Sequence, residues 1–114
     1  MDARTMANLF EVNQDDYAEY GKVEGLKAAQ KETHAFNLLD SLDPGHTDAM
    51  RNYSDDRVWL EFNADIVVKT ITEKQVITLI FCGVSYDEDH NSFYIFMYRI
   101  NTSKSLPGQY FYLP

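Results

Sequence analysis

The sequence predicts an α+β domain: an N-terminal helical region packed on a four-stranded antiparallel β-meander. Three observations predict it. Apolar residues between Val23 and Leu42 recur at helical spacing. From Val58 onward the pattern switches to a period of two. Two further runs, rich in β-branched and aromatic residues, follow behind short polar links. The chain divides by texture at residue 57, with residues 1–57 mainly helical and residues 58–114 forming the sheet, all within a single domain of 114 residues.

Each element has its own warrant. Asn13 is a candidate N-cap, and Asp15 and Asp16 suit the positive end of a helix. Val23, Leu26, Ala29, Thr33 and Phe36 form an apolar stripe that Leu39 and Leu42 extend. Gly21 and Gly25 weaken that interior, and a break near Gly21 is expected. Pro44 disfavours helical backbone at Asp43, so the helix ends there. Thr47 to Tyr53 is read as a further helical turn. Val58, Leu60, Phe62, Ala64, Ile66 and Val68 alternate with more polar neighbours and are read as the first strand, with Phe62 and Ile66 in the core. Thr72 to Lys74 is read as a turn, Val76 to Tyr86 as a second strand and Phe93 to Ile100 as a third. "SLPG" at 105–108 is a turn, and "QYFYL" closes the chain as a fourth strand. Short links between successive strands favour antiparallel neighbours.

Composition narrows the classes of function. Ten Lys and Arg stand against eighteen Asp and Glu, giving a net charge of −8. Phosphate repels such a surface, so direct nucleic-acid binding is not expected, whereas basic partners are favoured. The single cysteine, Cys82, excludes an intramolecular disulfide and fits a reducing compartment. "MDARTMANLFEV" lacks the charged start and apolar run of a secretory signal, and no apolar run is long enough to span a bilayer. A cytoplasmic protein without membrane contact is expected.

The stretch "VSYDEDHNSFYIFMY" offers the most specific candidate for chemistry. Asp87, Asp89 and Asn91 occupy the first, third and fifth positions of a calcium loop of the EF-hand kind. The sixth position holds Ser92 instead of glycine, and the twelfth holds Tyr98 instead of a bidentate glutamate. A five-residue hairpin turn, Asp87 to Asn91, accounts for the same residues. His34, His46 and His90 have no metal-ligand spacing. Cys82 lies in "LIFCGV" and reads as a small core residue with a raised pKa. No glycine-rich phosphate loop, nucleophile elbow or zinc-protease helix is present, and neither a cofactor nor a catalytic residue is assigned.

The aromatic residues carry more information. Tyr94, Phe96 and Tyr98 share one face of a strand, with Phe93, Ile95 and Met97 on the other. A sheet covered on one side alternates apolar and polar, so the second face here needs cover from a helix, from the aromatic tail or from another protein. Asp15, Asp16, Asp87, Glu88, Asp89, Trp59, Tyr94 and Tyr98 are the candidate partner-binding residues, combining acidic steering with aromatic anchors. The function expected is that of a small, acidic, non-enzymatic protein-interaction module. An inhibitor, an immunity or antitoxin protein, or an accessory protein fits that description. One concrete version is phage- or plasmid-encoded and acts on a nucleic-acid-handling enzyme. The partner expected is another protein with a basic surface, with homodimer formation as a further option. The alternative is a small-molecule-binding or catalytic domain with an aromatic-lined pocket.

Overall fold

The computed structural model describes residues 1–13, 30–46, 50–54 and 56–96. Its fold is α+β, with four helices and a four-stranded antiparallel sheet among those residues. Asp2 opens α1 (Ala3–Val12) by accepting the Thr5 amide at 2.7 Å. Met6 and Phe10, one turn apart, bury its inner face. Asn13, expected to cap a helix start, stands instead at a helix end. It ends α1, and its Nδ2 donates to the Leu9 carbonyl at 2.8 Å. The second helix, α2 (Lys31–Leu42), buries Ala35 and Leu39 and stops at Asp43, as Pro44 requires. Val23, Leu26, Ala29 and the two glycines of the expected stripe lie outside the described residues.

Residues 50–53 are strand rather than a helical turn. Strand β1 (Met50–Ser54) pairs with β2 (Arg57–Leu60) in a hairpin whose Asp56 takes a φ of +62°. Asp and Asn tolerate that left-handed backbone better than most residues.

The alternation beginning at Val58 is strand only as far as Leu60. Asn63 then accepts the Asp65 amide at 2.9 Å and caps α3 (Ala64–Thr70). Once the backbone is helical the inward set becomes Ala64, Val67 and Ile71. Ile66, expected in the core, is 40% exposed, whereas Phe62 is buried as expected. Residues 72–74 begin a helix instead of turning between strands. The Thr72 hydroxyl accepts the Gln75 amide at 3.2 Å, and the Gln75 side chain accepts the Thr72 amide at 2.9 Å. This capping box starts α4 (Glu73–Phe81), which buries Val76, Leu79 and Ile80. Gly83, at φ +92°, ends it and donates to the Ile80 carbonyl at 2.9 Å. The long second strand expected over 76–86 is thus only β3 (Val84–Asp87). The third expected strand begins as β4 (Ser92–Phe96), and "QYFYL" lies outside the described residues.

The strand order is β1-β2-β4-β3. The two hairpins are joined through α3 and α4, and β4 sits between β2 and β3, so the order is not that of a sequential meander. On one sheet face Val58, Leu60, Val84, Phe93 and Ile95 are buried. They share a core with Met6 and Phe10 of α1 and with Leu79 and Ile80 of α4. Helix α2 completes that layer by packing on α3 and α4.

Candidate interaction site

The register of β2 against β4 sets Arg57 opposite Phe96 and Trp59 opposite Tyr94, while the intervening Val58 and Ile95 face the core. Four large side chains are thereby gathered on the sheet face turned away from α1 and α4. The Arg57 guanidinium carbon lies 4.5 Å from the Tyr94 ring centroid, 5.5 Å from that of Phe96 and 5.8 Å from that of Trp59. Such contacts contribute about 0.5–2 kcal/mol each, more as water is excluded. Tyr94 meets Phe96 edge-on at 5.2 Å and Trp59 at 5.3 Å.

Asp87 ties this layer together. Arg57 Nη1 donates to its Oδ2 at 3.2 Å, and His90 Nδ1 lies 3.1 Å from the same oxygen. The His90 amide donates to Oδ1 at 3.1 Å, and the His90 ring packs 5.2 Å from Trp59. Trp59 Nε1 donates to Ser54 Oγ at 3.1 Å. Desolvation works to raise the Asp87 pKa, but the His90 amide, the His90 ring and the Asp89 amide outweigh it and hold the carboxyl below its ordinary value. The cover expected over the second sheet face is thus supplied in part by the sheet's own Arg57 and by His90 from the hairpin.

Trp59, Tyr94 and Asp87 of the candidate set are brought together here. Glu88 and Asp89 stand exposed at the hairpin tip, with Arg4 Nη1 3.4 Å from Glu88 Oε2. Asp15, Asp16 and Tyr98 lie outside the described residues. Sequence reasoning passed over Arg57 and His90. Arg57 was accessible to it, since it stands two residues before Trp59 on one strand and must share its face. His90 was not, because its placement depends on how the turn folds back.

The acidic loop is a pinned turn. Asn91 takes a φ of +48°, and its amide donates to the Glu88 carbonyl at 3.3 Å. Its side chain accepts the Tyr86 hydroxyl at 2.6 Å and donates to Asp65 at 2.8 Å, anchoring the hairpin to the first turn of α3. Among the described residues no three His, Cys, Asp or Glu side chains converge as metal ligands.

A cleft of about 330 Å³ runs along β3, lined by Phe10, Ile80, Ser85, Tyr86, Glu88 and Tyr94 among others. Burial raises the Tyr86 phenol, and the charges of Glu88, Asp65 and Asp87 raise it further. His34 and Cys82 are not part of this lining. Cys82 is fully buried in the core, where burial pushes its thiol to about 11, with Lys31 lowering it and Glu32 raising it. His34 is exposed on α2. His46 Nε2 lies 2.7 Å from the buried Asp43, which also accepts the Asn63 amide at 2.7 Å. That second polar cluster joins the end of α2 to the start of α3. No described helix is long and apolar enough to cross a membrane. Compared with known proteins, the chain matches no family model, no curated protein and no solved structure.

Proposed function

We infer that this protein is a small acidic interaction module that binds another protein through the sheet face bearing Trp59, Arg57 and Tyr94. One observation carries the reading. Tryptophan, tyrosine and arginine are the residue types that dominate interface energetics, and here Arg57 lies over Tyr94 and beside the largely buried Trp59, the two rings tilted against each other within a single patch. The exposed acids Glu88 and Asp89 beside it, and Asp15 and Asp16 in the sequence, favour a basic partner. An inhibitor, immunity or antitoxin protein, or an accessory subunit, fits these features, and a phage- or plasmid-encoded inhibitor of a nucleic-acid-handling enzyme is the sharpest version. The reading assigns the protein to the cytoplasm, where a lone thiol stays reduced.

The test is to capture the partner from the native host and measure association at low and high salt. Association slows with salt if acidic steering operates, because exposed charges are screened over about 8–10 Å at physiological ionic strength. Asp15→Lys with Asp16→Lys slows association further, and Tyr94→Ala speeds dissociation. A salt-insensitive rate, with competing DNA or RNA bound at the same time, would end the idea that these carboxylates take the place of phosphates. The second reading, a small-molecule site, draws on the aromatic lining of the cleft along β3, where Phe10, Tyr86, Tyr94 and Phe96 meet.

A further inference from the structure

We propose that the outer edge of β3 and the cleft along it receive an extended segment of the partner protein, which adds as a further strand and carries basic side chains. This deepens the interaction reading above and rests on it. Four observations converge. Among the described residues β3 has one neighbour, β4, so within that set the other side of Val84–Asp87 is a sheet edge. Natural edge strands are blunted by lysine, proline or a bulge. Here the strand reads VSYD and pairs with β4 in unbroken register, so lysine, proline and a bulge are all absent, and its protection is its four-residue length and the terminal Asp87. Its one charged side chain, Asp87, is already committed to Arg57 and His90.

The cleft also has the shape that strand addition needs. An added strand points alternate side chains to opposite sheet faces. On the core side the cleft offers Ala7 and Phe10 of α1 with Ile80 of α4. On the other side it offers Tyr94, which is reached past the small Ser85 directly opposite it in the ladder. One strand could therefore seat apolar side chains on both sides while its main chain pairs with β3.

Charge selects the occupant. Glu11 and Glu88 are exposed and line the same cleft, Glu88 sharing its charge with the exposed Arg4 at 3.4 Å. A second copy of this chain would bring its own Glu11, its own Glu88 and a net charge of −8 to the seam, which like-charge repulsion opposes. A strand with lysine or arginine flanking its apolar residues meets these carboxylates favourably.

The probe is an acetylated, amidated peptide alternating lysine with valine and phenylalanine. It is compared with a version N-methylated at alternate residues and with a version in which glutamate replaces lysine. Binding is followed by backbone amide shifts and hydrogen exchange of residues 84–87. The lysine peptide is expected to bind and to slow exchange at β3, and N-methylation on the pairing edge abolishes this. Glu11→Lys with Glu88→Lys weakens binding by about tenfold or more, with the far-ultraviolet spectrum unchanged, since both positions are exposed. Three results would overturn the proposal: no β3 response at about 1 mM peptide, binding indifferent to N-methylation, or self-association through β3 in its place. A captured partner that binds through Trp59 and Tyr94 yet leaves β3 amides exchanging freely would sink this inference alone. A partner indifferent to Tyr94→Ala would sink the reading beneath it.

Discussion

Asp43 is 5% exposed and accepts two donors, the Asn63 amide and the His46 ring, each at 2.7 Å. Removing the carboxylate would leave a buried amide without its acceptor, which costs about 1–3 kcal/mol. Asp43→Ala is therefore expected to lower stability by that amount in urea unfolding, whereas Asp43→Asn keeps an acceptor oxygen and loses less. Phe62 and Ile66 make a sharper pair. Phe62→Ala empties a core position and should cost about 3–5 kcal/mol. Ile66→Ala lies on the exposed side of α3 and should cost less than about 1 kcal/mol. Equal costs would mean that residues 58–69 form a strand after all. Cys82, buried with a thiol raised to about 11, should ignore a disulfide exchange reagent at pH 8 until the protein unfolds. The hairpin acids also separate by residue. Asp87→Ala strands Arg57 and should destabilise, while Glu88→Ser with Asp89→Ser should stay within about 0.5 kcal/mol of the parent.

At the scale of elements, the α+β class, the helix ending at Asp43, the hairpin at 87–91 and the start of the strand at Val58 were legible. The two central helices were not, although their caps were printed in the sequence. Thr72-x-x-Gln75 is a capping box, and Asn63 before Ala64 and Asp65 is a helix start. The misleading signal was composition. Val76, Ile77, Thr78 and Ile80 are strand formers by intrinsic preference, and the core overrides that preference by offering a helix-shaped seat for Val76, Leu79 and Ile80. The apolar alternation from Val58 to Val68 reads as a strand, yet Ala64, Val67 and Ile71 also fit one helix face. α1 was missed because its pattern is brief, with only Met6 and Phe10 fully inward. Of the candidate cluster, Trp59, Tyr94 and Asp87 were legible singly, Arg57 and His90 were passed over, and their grouping was hidden because Trp59 and Tyr94 meet only through a pairing of β2 with β4 that no local pattern announces. Thr72→Ala should cost about 0.5–2 kcal/mol if the box holds α4 in place. The loss of helical circular dichroism at partial denaturation would locate that cost in α4.

For the molecule as a whole, acid should be the weak flank. Asp43 and Asp87 both titrate below their ordinary value in the folded state. The unfolded chain then binds more protons than the folded one across that interval, so stability rises with pH there. The contribution is fully present above the unfolded carboxylate value of about 3.9 and is lost as pH falls through the lowered folded values. Asp43→Asn with Asp87→Asn should flatten the acid limb of a stability–pH profile below about pH 4. An unchanged limb would assign acid unfolding to the general repulsion of other groups.

The position of β4 bears on the order of events as the chain is made. The last described strand is not a rim of the sheet but the rib on which both flanking strands hang. A ribosome that has released residues up to 87 has delivered β1, β2, both central helices and β3, yet β3 has no described strand to pair with and Arg57 has no aromatic shelf from Tyr94 and Phe96. The pairings that join β2 and β3 into one sheet can therefore form only once residues 92–96 have been made. A nascent chain stalled before that point would lack both of them. Its lifetime at that stage, read by protease resistance of stalled chains, should end abruptly as β4 clears the exit tunnel.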